Sequence, residues 1–157
     1  MEQIEIIQAD LENMEELMQW RMEVLQHVFS LPSDYDTTEL QEENRHYYEQ
    51  QIPHGGHIAC FARLHGETVG CGGICLYEEM PSPDNPDGRC AYLMNIYCRE
   101  AYRHKGVGRT IVRWLVGQAL GKGIKKIYLE TSVGGRQLYE TMGFQEMKDM
   151  MQIKHRQ

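Results

Sequence analysis

No run in this chain approaches the ~18 consecutive apolar residues that a membrane span requires. Positive charge is also scarce: 16 Lys and Arg stand against 23 Asp and Glu, a formal net charge of −7. The broad basic face of a nucleic-acid binder is therefore missing. The acidic balance is compatible with a cationic substrate, but acidity also serves solubility alone. Met1 to Gln8 lacks the basic start and apolar stretch of a secretion signal. There is no Cys-x-x-Cys pair, and the five cysteines are an odd number. Cys60, Cys71, Cys75 and Cys98 lie in apolar, strand-like runs and Cys90 at the edge of one. Reduced, buried thiols in a cytoplasmic protein are expected. No metal is expected either, because His54-Gly-Gly-His57 supplies only two ligands and no acidic residue or cysteine nearby completes a set. Two familiar phosphate-binding signatures fail on spacing. The dinucleotide fingerprint has Ile111 where its third glycine belongs. In the nucleoside-triphosphate loop, Gly117 to Lys122 is one residue too short and is followed by Gly123 instead of a hydroxyl residue.

What remains is an ordinary globular composition. The 157 residues, 41% of them hydrophobic, suit a single domain over 1–157 with a real core. Its organising stretch is Ala91 to Leu120. Tyr92, Met94, Ile96 and Cys98 alternate with Leu93, Asn95 and Tyr97, and both sets are largely apolar, as in a central strand buried on two faces. After Arg103-His104-Lys105-Gly106-Val107-Gly108, the residues Val107, Ile111, Leu115 and Ala119 recur every four positions, the mark of an amphipathic helix. Glycines at a helix start permit a tight turn and close approach to unpaired N–H donors, so Arg103 to Arg109 predicts a nest for a phosphate or pyrophosphate.

The rest of the chain reads as alternating strands and helices. A short strand near Ile4 to Gln8 precedes a helix capped by Asp10 and running to about Phe29. Arg21 falls at the edge of that helix's apolar stripe, where it either snorkels or reaches a functional pocket. Leu31 to Asp36 is a break, in which Asp34, Tyr35 and Asp36 read by themselves as a solvated loop. Thr37 or Thr38 caps a second helix that Pro53 ends. His57 to Leu64 and Thr68 to Tyr77 predict a hairpin, with Gly70, Gly72 and Gly73 suggesting a bulge or a close approach. Pro81 to Gly88 predicts a mobile polar loop. Lys125 to Thr131 predicts a strand parallel to the central one through a right-handed crossover. A short helix from Gly134 to Met142 and a final strand from Phe144 to Ile153 close the chain, and His155 to Gln157 is a tail.

Arg103-x-x-Gly106-x-Gly108, set between a buried strand and a helix, resembles the pyrophosphate loop of the GCN5-related N-acetyltransferase (GNAT) family. A second motif strengthens the resemblance: Gly135-Arg136-Gln137-Leu138-Tyr139-Glu140-Thr141-Met142-Gly143-Phe144 follows the family's small residue, Leu-Tyr-Glu and Gly-Phe pattern at the expected distance. The likeness is good from Ala91 to Phe144 and extends to the N-terminal half only in element order. It implies an α/β fold, a central mixed, mostly antiparallel sheet flanked by helices, with a splayed parallel strand pair. It also implies acetyl-CoA as acyl donor and direct transfer to a primary amine.

By the same resemblance, main-chain groups of Ile96, Tyr97 and Cys98 pair with the pantetheine arm and supply an oxyanion donor. Arg103, His104, Lys105, Gly106, Val107, Gly108 and Arg109 surround the pyrophosphate. Ser132 stands where the family often has an asparagine. Tyr139 is either a capped core aromatic or, as the resemblance implies, the general acid at the sulfur. Some members carry a carboxylate base on the central strand; this chain has Tyr92 there. Glu130 is the alternative base, through a water, unless it is a surface or ion-paired carboxylate. Asn95 orients the acceptor or a water, and Arg21, Asp34 and Tyr35 line the acceptor site, where the resemblance implies that Asp34, Tyr35 and Asp36 meet a cationic amine unless they stay a solvated loop. The expected partner is a small-molecule amine, with no nucleic acid and no membrane; a homodimer is a further expectation. A protein or peptide acceptor and a non-catalytic acyl-CoA sensor are the alternatives.

Overall fold

The computed structural model of the protein describes residues 3–155, so Arg156 and Gln157 of the tail expected over His155 to Gln157 lie outside the described residues. In chain order the elements are β1 (Ile4–Ala9), a 3-10 turn (Leu11–Asn13), α1 (Met14–Phe29), α2 (Thr38–Gln51), β2 (His57–Leu64), β3 (Glu67–Glu78), β4 (Arg89–Cys98), a second 3-10 turn (Glu100–Tyr102), α3 (Val107–Gly121), β5 (Lys126–Leu129) and α4 (Val133–Thr141). The strands lie side by side in sequence order. Neighbours β1 to β4 run antiparallel, and β5 joins β4 in parallel. No helix among the described residues is long and apolar enough to cross a membrane.

Strand alternation divides the interior into two layers. On β2, Ile58, Cys60, Ala62 and Leu64 face the buried stripe of α3, which consists of Val107, Ile111, Leu115 and Ala119. The intervening Ala59 and Phe61 face the other way, onto Leu17, Trp20 and Val24 of α1 and Tyr48 of α2. Arg99, just past β4, locks α1 against the strand end. Its guanidinium donates to both carboxylate oxygens of Glu23 at 3.0 and 2.9 Å and lies 4.3 Å over the Trp20 ring.

The glycines of β3 serve close approach, as the sequence suggests. An added Cβ at Gly72 would stand 2.5 Å from Ile111 Cγ2, and one at Gly70 would stand 2.6 Å from the Tyr97 carbonyl. Two bulges accompany them. Val69 is the extra residue of β3 opposite β2, between the pairs Ala62↔Gly70 and Arg63↔Thr68. On β4, Asn95 and Ile96 together oppose Gly72, between the pairs Cys71↔Tyr97 and Gly73↔Met94.

Three expectations are corrected. Phe144 to Ile153 forms no strand. Phe144 is tethered by its N–H to the Tyr139 carbonyl and packs on the Tyr139 ring, while Met150, Met151 and Ile153 are exposed. Its apolar positions do not alternate, and Gln, Glu, Lys and Asp fill the gaps, so little favours a pleated strand. Pro81 to Gly88 is anchored rather than loose: Asn85 is buried, its amide donates to the Arg89 carbonyl at 3.1 Å, and it forms an isolated bridge with Ser82. At the start of α2, neither threonine side chain caps the helix; instead the Asp36 carboxylate accepts from both the N–H and the hydroxyl of Thr38.

The glycines offer a stability test. Gly72→Ala should destabilise the fold by about 1–3 kcal/mol through overpacking against Ile111. Gly117→Ala, on the exposed side of α3 with nothing within 4 Å of an added Cβ, should stabilise it by about 0.5–1 kcal/mol. Urea denaturation of both variants measures the difference, and equal effects would contradict the packing described.

Candidate active site

The β4 bulge controls what surrounds it. Asn95 adopts a left-handed conformation, φ +60°, which asparagine tolerates better than most residues. The extra residue exchanges the faces of the strand. Ala91 and Leu93 point to the α3 layer before the bulge, and Ile96 and Cys98 point there after it. Pairing with β5 stops at Leu93↔Leu129. From Met94 to Cys98, β4 has no strand neighbour on that side among the described residues, and these residues line a cavity of about 980 Å³.

One end of this cavity is the turn before α3. Gly106 takes φ +85° as the helix N-cap, and His104 is also left-handed. A Cβ at Gly106 would meet nothing within 4 Å, and one at Gly108 only Leu138 Cδ2 at 3.7 Å. The turn thus presents unpaired helix N–H donors to open space, a shape suited to phosphate oxygens. Arg103 lines the cavity and is held there: its Nε donates to the Cys98 carbonyl at 3.1 Å and its Nη2 lies 3.3 Å from His27 Nε2. Arg109 also lines it and donates to Thr141 Oγ1 at 2.9 Å, tying α3 to α4. Lys105 is set apart from the cavity lining, its ammonium 5.9 Å from the centre of the Tyr102 ring.

The opposite wall is the N-terminal part of α4. Ser132 caps that helix, its Oγ accepting from the Gly135 N–H at 3.2 Å, so the hydroxyl has a structural partner as well as a place in the lining. One turn on, Tyr139 packs edge-to-face on Phe144 and lines the cavity. Its hydroxyl has no hydrogen-bond partner among the described residues. Burial raises its pKa above the ordinary tyrosine value, which keeps it a protonated donor at neutral pH.

The floor lies on the α1/α2 face of β4 and β5. Tyr92 stacks on Tyr128 at 4.8 Å, and the Tyr128 hydroxyl meets that of Tyr77. Glu130 lines the cavity beside Tyr92. Burial, and then the Glu130 carboxylate hydrogen-bonded to it, push the Tyr92 hydroxyl well above its usual pKa. Tyr92 is thus a donor held against the one carboxylate in the lining. Arg21 reaches the cavity from α1, donating to Asn44 Oδ1 at 2.8 Å and Asn95 Oδ1 at 3.0 Å. Asp34 and Tyr35 are exposed on the α1–α2 connection and do not line the cavity, and Asp36 is engaged with Thr38.

Sequence reasoning passed over a polar cluster beneath the floor. The Tyr47 hydroxyl lies 2.8 Å from His57 Nδ1 and 3.1 Å from Cys75 Sγ. Burial, with Arg21 nearby, lowers the His57 pKa to about 4, so its ring is neutral. His54 stays exposed on the preceding turn, away from this buried ring. Asn44 was legible only as one polar residue among the inward positions of α2. Its link to Arg21 joins residues 23 apart in sequence and has no local signal.

The family model for the acetyltransferase (GNAT) family matches residues 14–144. The chain belongs to the GNAT family. Several solved GNAT-type structures share its fold. A predicted acetyltransferase from Clostridium acetobutylicum, determined with acetyl-CoA, superimposes with a TM-score of 0.85 at 22% identity, over 97% of this chain and 96% of that one. An aminoglycoside N-acetyltransferase in complex with CoA gives 0.74 at 14% identity, over 99% and 97%. Glucosamine-6-phosphate N-acetyltransferase from Arabidopsis thaliana gives 0.70 at 15% identity, over 97% and 98%. At these identities the likeness is one of fold. No curated protein matches the sequence significantly. In this GNAT chain the glycine turn, the open part of β4 and Tyr139 line one cavity.

The glycine turn is directly testable. Coenzyme A should raise the melting temperature of the wild-type protein, and Gly106→Glu should abolish the rise by placing a carboxylate where phosphate oxygens would sit. An unchanged rise in the variant, followed by thermal unfolding, would put the phosphate site elsewhere.

Proposed function

We propose that the protein is an acetyl-CoA-dependent N-acetyltransferase that moves an acetyl group directly to a primary amine of a small molecule. The observation that carries this reading is the meeting, in one cavity, of three features: the glycine turn, the unpaired stretch of β4 and the protonated hydroxyl of Tyr139. Gly106, Val107 and Gly108 at the start of α3 would hold the diphosphate through main-chain N–H groups, with Arg103 and Arg109 adding charge. The main chain of Ile96, Tyr97 and Cys98 would accept the pantetheine arm as an added strand and offer an N–H to the thioester oxygen.

In the transfer the amine nitrogen bonds to the carbonyl carbon and the carbon–sulfur bond breaks. Tyr139 donates its proton to the departing sulfur. Glu130, directly or through a water, takes the proton that the amine loses, and Tyr92 holds that carboxylate in place. Cys98 does not compete as a nucleophile, because burial raises its thiol pKa and lowers its thiolate fraction. A small acceptor is favoured because the bonds from Arg21 to Asn44 and Asn95 tie α1, α2 and β4 together at the acceptor end of the cavity.

Free-thiol release across a panel of amines tests the activity, and Tyr139→Phe tests the acid. The variant should lose roughly 10²-fold or more in kcat while coenzyme A still raises its melting temperature. Undiminished turnover would reject Tyr139 as the proton donor. Silence across the panel with the coenzyme firmly bound would favour a sensor of acyl-CoA.

A further inference from the structure

The acceptor end of the cavity contains a guanidinium without a counter-charge. Among the described residues Arg21 forms no ion pair; its recorded partners are two neutral side-chain amides, Asn44 and Asn95. Both amides are fixed with their oxygens toward it. The Asn44 NH2 donates to the Leu40 carbonyl at 2.8 Å, and the Asn95 NH2 faces Cys71 Sγ at 3.9 Å. The groups packed around it, Tyr47, Tyr48, His57, Cys71 and Cys75, are neutral: burial raises the phenols and thiols and lowers the imidazole. A guanidinium has five N–H donors, and the two recorded bonds use Nε and one hydrogen of Nη1. Three donors remain, enough for the paired fork that matches a carboxylate.

We infer that Arg21 is a carboxylate-binding residue and that the acceptor is an amino acid or similar aminocarboxylate, its amine directed to Glu130 and its acid to Arg21. This rests on the transferase reading above. The charges around the cavity favour it over a polycation. The lining holds one carboxylate, Glu130, and at the acceptor end one cation, Arg21, since Arg103 and Arg109 stand at the phosphate turn. An amine with several ammonium groups would find one counter-charge and meet Arg21 as a like charge. Asp34 and Asp36, the acidic residues that would have favoured such a substrate, are outside the lining. An aminocarboxylate matches both signs, and Tyr92 lines the same cavity.

The test compares L-amino acids with their decarboxylated amines and methyl esters in the thiol-release assay. For at least one matched set, kcat/KM for the acid should exceed that for both partners by roughly tenfold or more, the scale of a charge-assisted pair. Arg21→Met should collapse that ratio toward one, and Arg21→Lys should retain part of it. A coenzyme-dependent rise in melting temperature certifies that each variant is folded; should Arg21→Met not fold, the wild-type ratio and Arg21→Lys still decide. Amines or esters turned over as well as the acids, or a ratio unmoved in the variants, would overturn the carboxylate subsite and leave the transferase reading standing. Silence on every acid, amine and ester, with the coenzyme still bound, would overturn both.

Discussion

The cavity depends on one left-handed residue in the middle of the sheet. With Asn95 at φ +60°, β4 carries one residue more than β3 can match, and the strand changes its facing. A regular strand would send Asn95 toward α3 and Ile96 toward α1. The bulge instead returns Ile96 and Cys98 to the α3 layer and Tyr97 to the α1 layer. Pairing with β5 has already ended at Leu93↔Leu129, so β4 continues alone with one edge exposed to the cavity. An unpaired edge is usually a liability in a sheet. Here it lies inside a cleft between two parallel strands, where another extended chain can use it.

The same residue joins the two ends of the site. Its backbone makes the bulge, its carbonyl accepts from the Cys71 thiol, and its side-chain oxygen receives Arg21. Arg21 in turn links to Asn44 on α2. The unpaired stretch of β4 and the Arg21 cluster therefore share one local distortion. A partly buried cation held by two amides is costly unless something else satisfies it, because a desolvated charge requires pairing. At the turn before α3 the proposed phosphate site would work by the opposite device, with main-chain donors and glycines that leave room for them.

Much of this was legible in the sequence, for identifiable reasons. The four-residue spacing of Val107, Ile111, Leu115 and Ala119 placed α3, and the glycines before it placed the turn. Strong local periodicity and turn chemistry survive without tertiary knowledge. The strand expected from Phe144 failed because its apolar residues carry no consistent period. The polar residues at the acceptor end were harder. Arg21 was visible as a charge at the edge of an apolar stripe, yet its partners are 23 and 74 residues away. The Asp34 to Asp36 loop looked chemically suitable by type, but Asp36 spends its carboxylate on the start of α2 and Asp34 faces solvent. Residue type suggested chemistry at both places; only the fold determined which of them faced the cavity.

Amide hydrogen exchange with and without coenzyme A tests the central claim most directly. If the open stretch of β4 and the turn before α3 form one ligand cleft, the amides of Ile96 to Cys98 and of Gly106 to Arg109 should gain protection together when coenzyme A is added, while those of β1 and β2 stay unchanged. Saturating coenzyme A that leaves both segments exchanging at their free rates would contradict it.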